Sequence, residues 1–273
     1  MEIGGFEAVQ ITVLAIIQGL TEFLPISSSG HLILPSLLFG WPDQGLTFDV
    51  AVHVGSLCAV IFYFRRDISI LVLAWLRSLG TRVNTAESRL AWLIILATLP
   101  AGVAGLILDD YVETYTRALT VIATTSIIFA VLLYWADASG TRDADLKALT
   151  WRSALVIGFA QILSLIPGTS RSGVTMTAAL FCNLTRTAAA RFSFLLSIPI
   201  IMATGLLKGV ELASSPDASI EWFGLLYGVV LSGLVAYACI HYFLRLIDRI
   251  GFLPFVIYRI ALGILLFGVY LAG

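Results

Sequence analysis

Apolar residues run through this chain in long blocks, and the polar positions that interrupt them are few and clustered. Six blocks approach the ~20 residues a helix needs to cross a hydrocarbon core: 48–64, 90–108, 117–135, 192–210, 222–244 and 252–272. Two further pairs have another form. Residues 6–24 are long enough but carry Gln10, Gln18 and Glu22, and 28–40 are short and broken by Pro35; the pair 151–166 and 171–182 repeats this arrangement. Each pair reads as helix, Pro-containing Ser/Gly loop and short helix, the shape of a segment that enters a bilayer and turns back. Irregular backbone survives at membrane depth where protein or a water-filled cavity covers it. The pattern predicts an all-α polytopic integral membrane protein with six transmembrane helices and two re-entrant helix-loop-helix segments.

Composition agrees with this reading. The chain is 59% hydrophobic and 12% charged, with a mean hydropathy of +0.97, outside the range of ordinary water-soluble domains. Its net charge of −1 gives no electrostatic reason to expect a nucleic-acid partner. Cys58, Cys182 and Cys239 sit singly in apolar stretches and read as small hydrophobic residues, not disulfides or metal ligands. No basic stretch precedes the first apolar run, which argues against a cleaved signal peptide.

Charge placement sets an expected orientation, because Lys and Arg near spanning segments are retained in the cytoplasm. Arg65, Arg66, Arg77, Arg82, Arg89, Arg142, Lys147, Arg152, Arg186, Arg191, Arg245 and Arg249 fall on one side, 12 of the 16 basic residues. The opposite loops hold Asp109, Asp110 and Glu113, and Glu211, Asp217 and Glu221. Both termini are then extracytoplasmic, the loop at 25–31 dips in from outside, and the loop at 167–175 dips in from the cytoplasm. The single membrane domain 1–273 divides at the polar segment Asp137–Thr150 into repeats 1–140 and 141–273 of opposite topology. Inverted repeats of this kind place their site near the midplane, where the repeats meet.

Two polar runs carry the candidate chemistry. The first is Gln18-Gly19-Leu20-Thr21-Glu22-Phe23-Leu24-Pro25-Ile26-Ser27-Ser28-Ser29-Gly30-His31; the second, Pro167-Gly168-Thr169-Ser170-Arg171-Ser172-Gly173-Val174-Thr175, echoes it 143 residues later. A short helix starting after Pro25 would place Ser27, Ser28 and Ser29 at its cap and first turn, where free N–H groups and the helix dipole favour phosphate. The second loop repeats this with Ser170, Ser172 and Gly173 and adds Arg171, whose guanidinium matches phosphate oxygens. Together they form a cradle for a diphosphate. His31 is placed to share a helix face with the hydroxyls of Ser27 and Ser28. Either a serine is the nucleophile with His31 as base, or His31 itself attacks phosphorus. Gln18 and Glu22, spaced i, i+4, suit a hard divalent cation such as Mg²⁺ or Ca²⁺.

Each residue also has a plainer reading. Serines after Pro serve as helix caps, Arg171 can snorkel, and Glu22 can pair with Arg171 simply to hold the repeats together. The coincidence of both loops favours a site, since an intramembrane ionisable residue is functional by default. Asp49 and His53, also i, i+4, read as a polar helix face towards a cavity, and Arg259 as the partner of a carboxylate or carbonyl. Gly224, Gly228 and Gly233 read as a small-residue packing face, and Trp41, Trp135, Trp151 and Trp222 as an interfacial belt.

On these two runs the sequence resembles the bacterial undecaprenyl-diphosphatase family, also called the bacitracin-resistance protein family, over essentially its whole length. The resemblance implies an inner-membrane enzyme that removes the terminal phosphate of undecaprenyl diphosphate with the help of a divalent cation, at a site open to the periplasm. It implies that Glu22 handles metal or proton, that Ser27 and Ser28 lie at the nucleophilic centre, and that His31 is nucleophile or general base. Ser170, Arg171 and Thr175 would hold the diphosphate, with Ser29, Gly30, Gly168, Thr169, Ser172 and Gly173 lining it. The family's first polar position is Glu or Gln, and here it is Gln18, a neutral amide that binds a divalent ion less strongly than a carboxylate would. The expected partners are the lipid substrate and the bilayer, and a homodimer is compatible with the sequence. The competing reading is a secondary transporter or lipid flippase on the same inverted repeat.

Overall fold

The computed structural model describes residues 5–42, 45–81, 84–115, 118–213 and 222–272. Among them the chain is helical: α1 (Gly5–Thr21), α2 (Ser28–Phe39), α3 (Gly45–Tyr63), α4 (Arg65–Thr81), α5 (Ala86–Tyr115), α6 (Leu119–Ser139), α7 (Trp151–Ile162), α8 (Arg171–Phe181), α9 (Arg186–Ala213), α10 (Trp222–Ile250) and α11 (Leu253–Ala272). Single 3₁₀ turns lie at Leu146–Ala148 and Leu163–Leu165.

Among the described residues, five helical stretches are long and apolar enough to cross a membrane: Ala86–Leu108, Leu119–Ser139, Arg186–Val210, Trp222–Ile250 and Leu253–Ala272. The sixth expected span, 48–64, coincides with α3, whose apolar stretch Thr47–Tyr63 is a shorter helix. At ~1.5 Å per residue such a stretch falls several ångströms short of a ~30 Å hydrocarbon core. It also carries His53 and Ser56, and α10 packs along it. Arg82, Asp217 and Glu221, and the side chains of Asp109, Asp110, Glu113 and Glu211, all used in the orientation argument, lie outside the described residues.

α4 was not expected from the apolar blocks, because its polar residues Arg65, Arg66, Asp67 and Arg77 hide it from a search for spans. It packs on α5 through Leu71 and Ser78, and Trp92 Nε1 donates to Ser78 Oγ. The polar segment Asp137–Thr150 is equally far from a free linker. Asp137 accepts from Arg186 Nε at 2.6 Å and Nη2 at 2.8 Å, from Arg142 Nη1 at 3.1 Å and from the Phe252 amide at 3.4 Å. Ala144 exchanges backbone hydrogen bonds with Asn183 and Thr185 at the α8–α9 junction.

Small residues let the helices approach closely, as the sequence suggested. A Cβ on Gly233 would meet the Gly55 carbonyl at 3.0 Å, and one on Gly228 would meet Phe48 at 3.1 Å. Large apolar side chains face outward instead, Leu206, Trp222, Phe223 and Leu226 among them, as a lipid-solvated surface requires. The core beneath the two loops is aromatic: Phe23 packs edge-on against Phe194 with centroids 5.2 Å apart, and Phe194 continues to Phe64 and Phe243. The three cysteines are free.

Candidate active site

The two loops adopt matching geometry. Ser27 caps α2 with φ 75° and ψ 98°, and its Oγ accepts from the Gly30 amide; Ser170 caps α8 with φ 71° and ψ 112°, and its Oγ accepts from the Gly173 amide. Non-glycine residues rarely take such a positive φ, so each cap stores about 1–3 kcal/mol of backbone strain. The surroundings hold both in place. Ser27 Oγ lies 3.3 Å from Ser29 Oγ, and Ser170 Oγ lies 3.2 Å from Ser172 Oγ.

The loops meet each other directly. The Gly168 amide donates to Ser27 Oγ at 3.2 Å, and Ser172 Oγ donates to the Leu24 carbonyl at 2.8 Å. Gly168 has φ +87° and presses on α6, where Thr125 Oγ1 donates to the Pro167 carbonyl at 2.8 Å. Arg259, fully buried on α11, ties the junction from beneath. It donates to the carbonyls of Ser126, Pro25, Gly168 and Thr169 at 2.8–3.2 Å. Its reading as a carbonyl partner therefore holds.

A polar cluster centres on Glu22. Arg171 Nη2 donates to Oε1 at 2.9 Å, while Ser28 Oγ at 2.7 Å and Gln18 Nε2 at 3.0 Å donate to Oε2. His53 Nε2 stands 3.6 Å from the same oxygen, oriented by an Nδ1 bond to its own helix at the Asp49 carbonyl. Arg171 also donates from Nη1 to the Ser193 carbonyl and lies over the Phe23 ring, 6.0 Å from its centroid. The pairing of Glu22 with Arg171 that sequence reasoning weighed as purely structural is thus present, with a serine hydroxyl on the same carboxylate.

His31 is placed differently from expectation. Its Nδ1 lies 2.6 Å from the Ser27 carbonyl oxygen and its Nε2 lies 2.6 Å from the Tyr258 hydroxyl, whereas the Ser28 hydroxyl turns to Glu22. The reason is local: a histidine four residues beyond the cap reaches back to the cap residue's carbonyl, which also accepts the His31 amide at 3.2 Å.

The remaining predicted contacts divide unevenly. Ser29 is exposed and Ser28 half-buried, while Gly168, Thr169, Ser170, Ser172, Gly173 and Thr175 are all buried. Thr169 Oγ1 donates to Ile166 O, and Thr175 Oγ1 bonds the Arg171 carbonyl and Ser193 Oγ. In the second loop these two threonines hold backbone, while Gly168, Ser172 and Arg171 reach the first polar run, Arg171 through the Glu22 carboxylate. Sequence reasoning missed Tyr258 and Ser193 and gave His53 too little weight. The i, i+4 pair Asp49/His53 was a usable signal, but nothing local marks Tyr258 beyond its place before Arg259.

For a divalent cation the chain offers Glu22 and the Gln18 amide oxygen, which is buried without a hydrogen-bond partner. Among the described residues no cluster of three or more His, Cys, Asp or Glu is placed to hold a metal. Such a sparse set fits an ion held largely by substrate oxygens and water.

Comparison with known proteins finds relatives over almost the whole chain. The chain is 56% identical over 256 residues to undecaprenyl-diphosphatase 1 of Pseudoalteromonas translucida (strain TAC 125), covering 94% of this chain and 96% of that one. It is 55% identical over 261 residues to an undecaprenyl-diphosphatase of Teredinibacter turnerae, covering 96% and 98%. A third, from Chromohalobacter salexigens, is 58% identical over 256 residues, covering 94% and 96%. The profile of the family described as bacitracin resistance protein BacA matches residues 11–265, and the chain belongs to that family.

Proposed function

We propose that the protein hydrolyses the terminal phosphate of undecaprenyl diphosphate, returning the monophosphate carrier lipid and inorganic phosphate. The observation that carries this reading is the Glu22 carboxylate, which joins Arg171 of one loop to Ser28 of the other. The names of the relatives support the substrate.

In this reading the lone pair of His31 Nε2 attacks the terminal phosphorus. The N–P bond forms as the bridging P–O bond breaks, and the lipid monophosphate leaves with the electron pair. Arg171 and the first-turn amides of α2 stabilise the charge on the phosphoryl oxygens. A water, oriented by Ser28 and giving its proton to Glu22, then attacks the phosphohistidine. Phosphate departs and the Nε2 lone pair returns. A divalent cation held by Glu22 and Gln18 would neutralise diphosphate charge.

The setting we infer is a bacterial inner membrane with the site facing the periplasm and both termini outside. α3, at the short end of the spanning range, serves as a sixth span, and the α1–α2 and α7–α8 pairs are re-entrant halves of an inverted repeat. The matched positive-φ caps at Ser27 and Ser170 support the repeat. Acid quenching during turnover of labelled polyprenyl diphosphate tests the chemistry. An acid-labile, base-stable phosphoryl adduct, lost in His31→Ala, is expected; an acid-stable phosphoserine overturns the assignment of His31, and no hydrolysis by the detergent-purified protein overturns the function.

A further inference from the structure

His31 has two ring nitrogens with chemically different neighbours, and these determine where its proton sits. The Ser27 carbonyl oxygen, 2.6 Å from Nδ1, can only accept, so Nδ1 carries the hydrogen. In the neutral ring Nε2 is then the lone-pair nitrogen. The Tyr258 hydroxyl, 2.6 Å away, is accordingly its donor. Tyr258 and Arg259 are consecutive on α11, so one helix turn delivers both the hydroxyl that meets His31 and the guanidinium that ties the two loops together. The two rings lie almost parallel, 13° apart, with the tyrosine body partly exposed.

We propose that Tyr258 is a positioning residue for phosphoryl transfer, holding the His31 ring from its far end so that Nε2 is presented as the acceptor nitrogen. The proposal rests on the reading of His31 as nucleophile. With both nitrogens bonded the ring cannot turn about χ2; with Ser27 alone it is held at one edge. When the terminal phosphate arrives, the tyrosine hydroxyl yields Nε2 to phosphorus and keeps its own proton, so no atom is transferred to or from Tyr258.

The test uses the full chain in detergent or nanodiscs. Replacing Tyr258 by Phe removes the hydroxyl and little else. We expect kcat on polyprenyl diphosphate to fall about tenfold while KM stays within about twofold, the size of effect one lost hydrogen bond produces. The chain holds three histidines, so ¹⁵N labelling of their rings resolves His31. In the wild type Nδ1 should read as protonated and Nε2 as a hydrogen-bonded acceptor; in Y258F the Nε2 resonance should move towards that of a free lone pair. A fluorinated tyrosine at 258, a stronger donor, should move it the other way, and this arm serves even if Y258F does not fold. An unchanged kcat in folded Y258F, a protonated Nε2 in the wild type, or an Nε2 resonance indifferent to fluorination would each overturn the proposal. Failure of the wild type to hydrolyse substrate overturns the function instead, and the resonance arms still decide whether Tyr258 holds the ring.

Discussion

Arg171 and Glu22 stand 149 residues apart in the chain and 2.9 Å apart in the fold, each from a different loop and each largely shielded from solvent. Removing one partner of a buried pair leaves the other charge uncompensated, which destabilises by about 3–5 kcal/mol. Arg171→Ala should therefore lose both phosphate release and thermal stability. Glu22→Gln keeps oxygen and shape, and should lose activity by at least about 100-fold with a smaller fall in stability. Arg171→Lys cannot reproduce the fork that meets both Glu22 and the Ser193 carbonyl, and should resemble the alanine variant in activity. Phosphate release and unfolding midpoints in detergent measure these differences.

The strained caps give a prediction with an inverted order. An N-cap Ser→Ala change ordinarily costs about 1 kcal/mol and a change to Gly only a few tenths. At Ser27 and Ser170 glycine additionally relieves the positive φ. Ser170→Gly should equal or exceed the wild type in thermal midpoint while Ser170→Ala falls below it. Ser27→Ala should be the worst of the four, because it also strands the buried Gly168 amide.

Gly168 admits no side chain. A Cβ there would meet Thr125 Oγ1 at 2.2 Å and the Ile122 carbonyl at 2.7 Å. Gly168→Ala should destabilise by more than about 2 kcal/mol, through strain at positive φ together with overpacking. Pairing it with Thr125→Ala, which removes the hydroxyl, should recover little, since the Ile122 carbonyl remains. Denaturant midpoints of single and double variants decide this.

Chelation of divalent ions should stop turnover, and Gln18→Glu should lower the cation concentration needed for half-maximal activity by supplying a second carboxylate. Titration of activity with Mg²⁺ and Ca²⁺ in the two proteins is the measurement. Equal cation requirements would remove Gln18 from the cation site.

The apolar blocks made most of the helices readable, because lipid exposure forces continuous hydrophobicity on a span. They concealed α4, whose polar residues share its length with outward-facing Val72, Leu73 and Leu76. The two polar loops were legible as a pair because Ser27-Ser28-Ser29-Gly30 and Ser170-Arg171-Ser172-Gly173 share cap chemistry, and the structure brings them together. The partners within the site were less so. Ser28 turning to Glu22 and His31 turning to Tyr258 depend on how α1 and α11 flank the loop, and no spacing in the sequence encodes that. Nor does it show that Thr169, Ser170, Ser172 and Thr175 are occupied in holding backbone.

Arg259 grips main-chain carbonyls 234 residues upstream at Pro25 and 90 residues upstream at Thr169. During synthesis both loops therefore emerge, and remain without this clamp, long before α11 is translated. Assembly of the site is then a late event in biogenesis, in which the earlier helices wait in the bilayer for one arginine to close their two bends together.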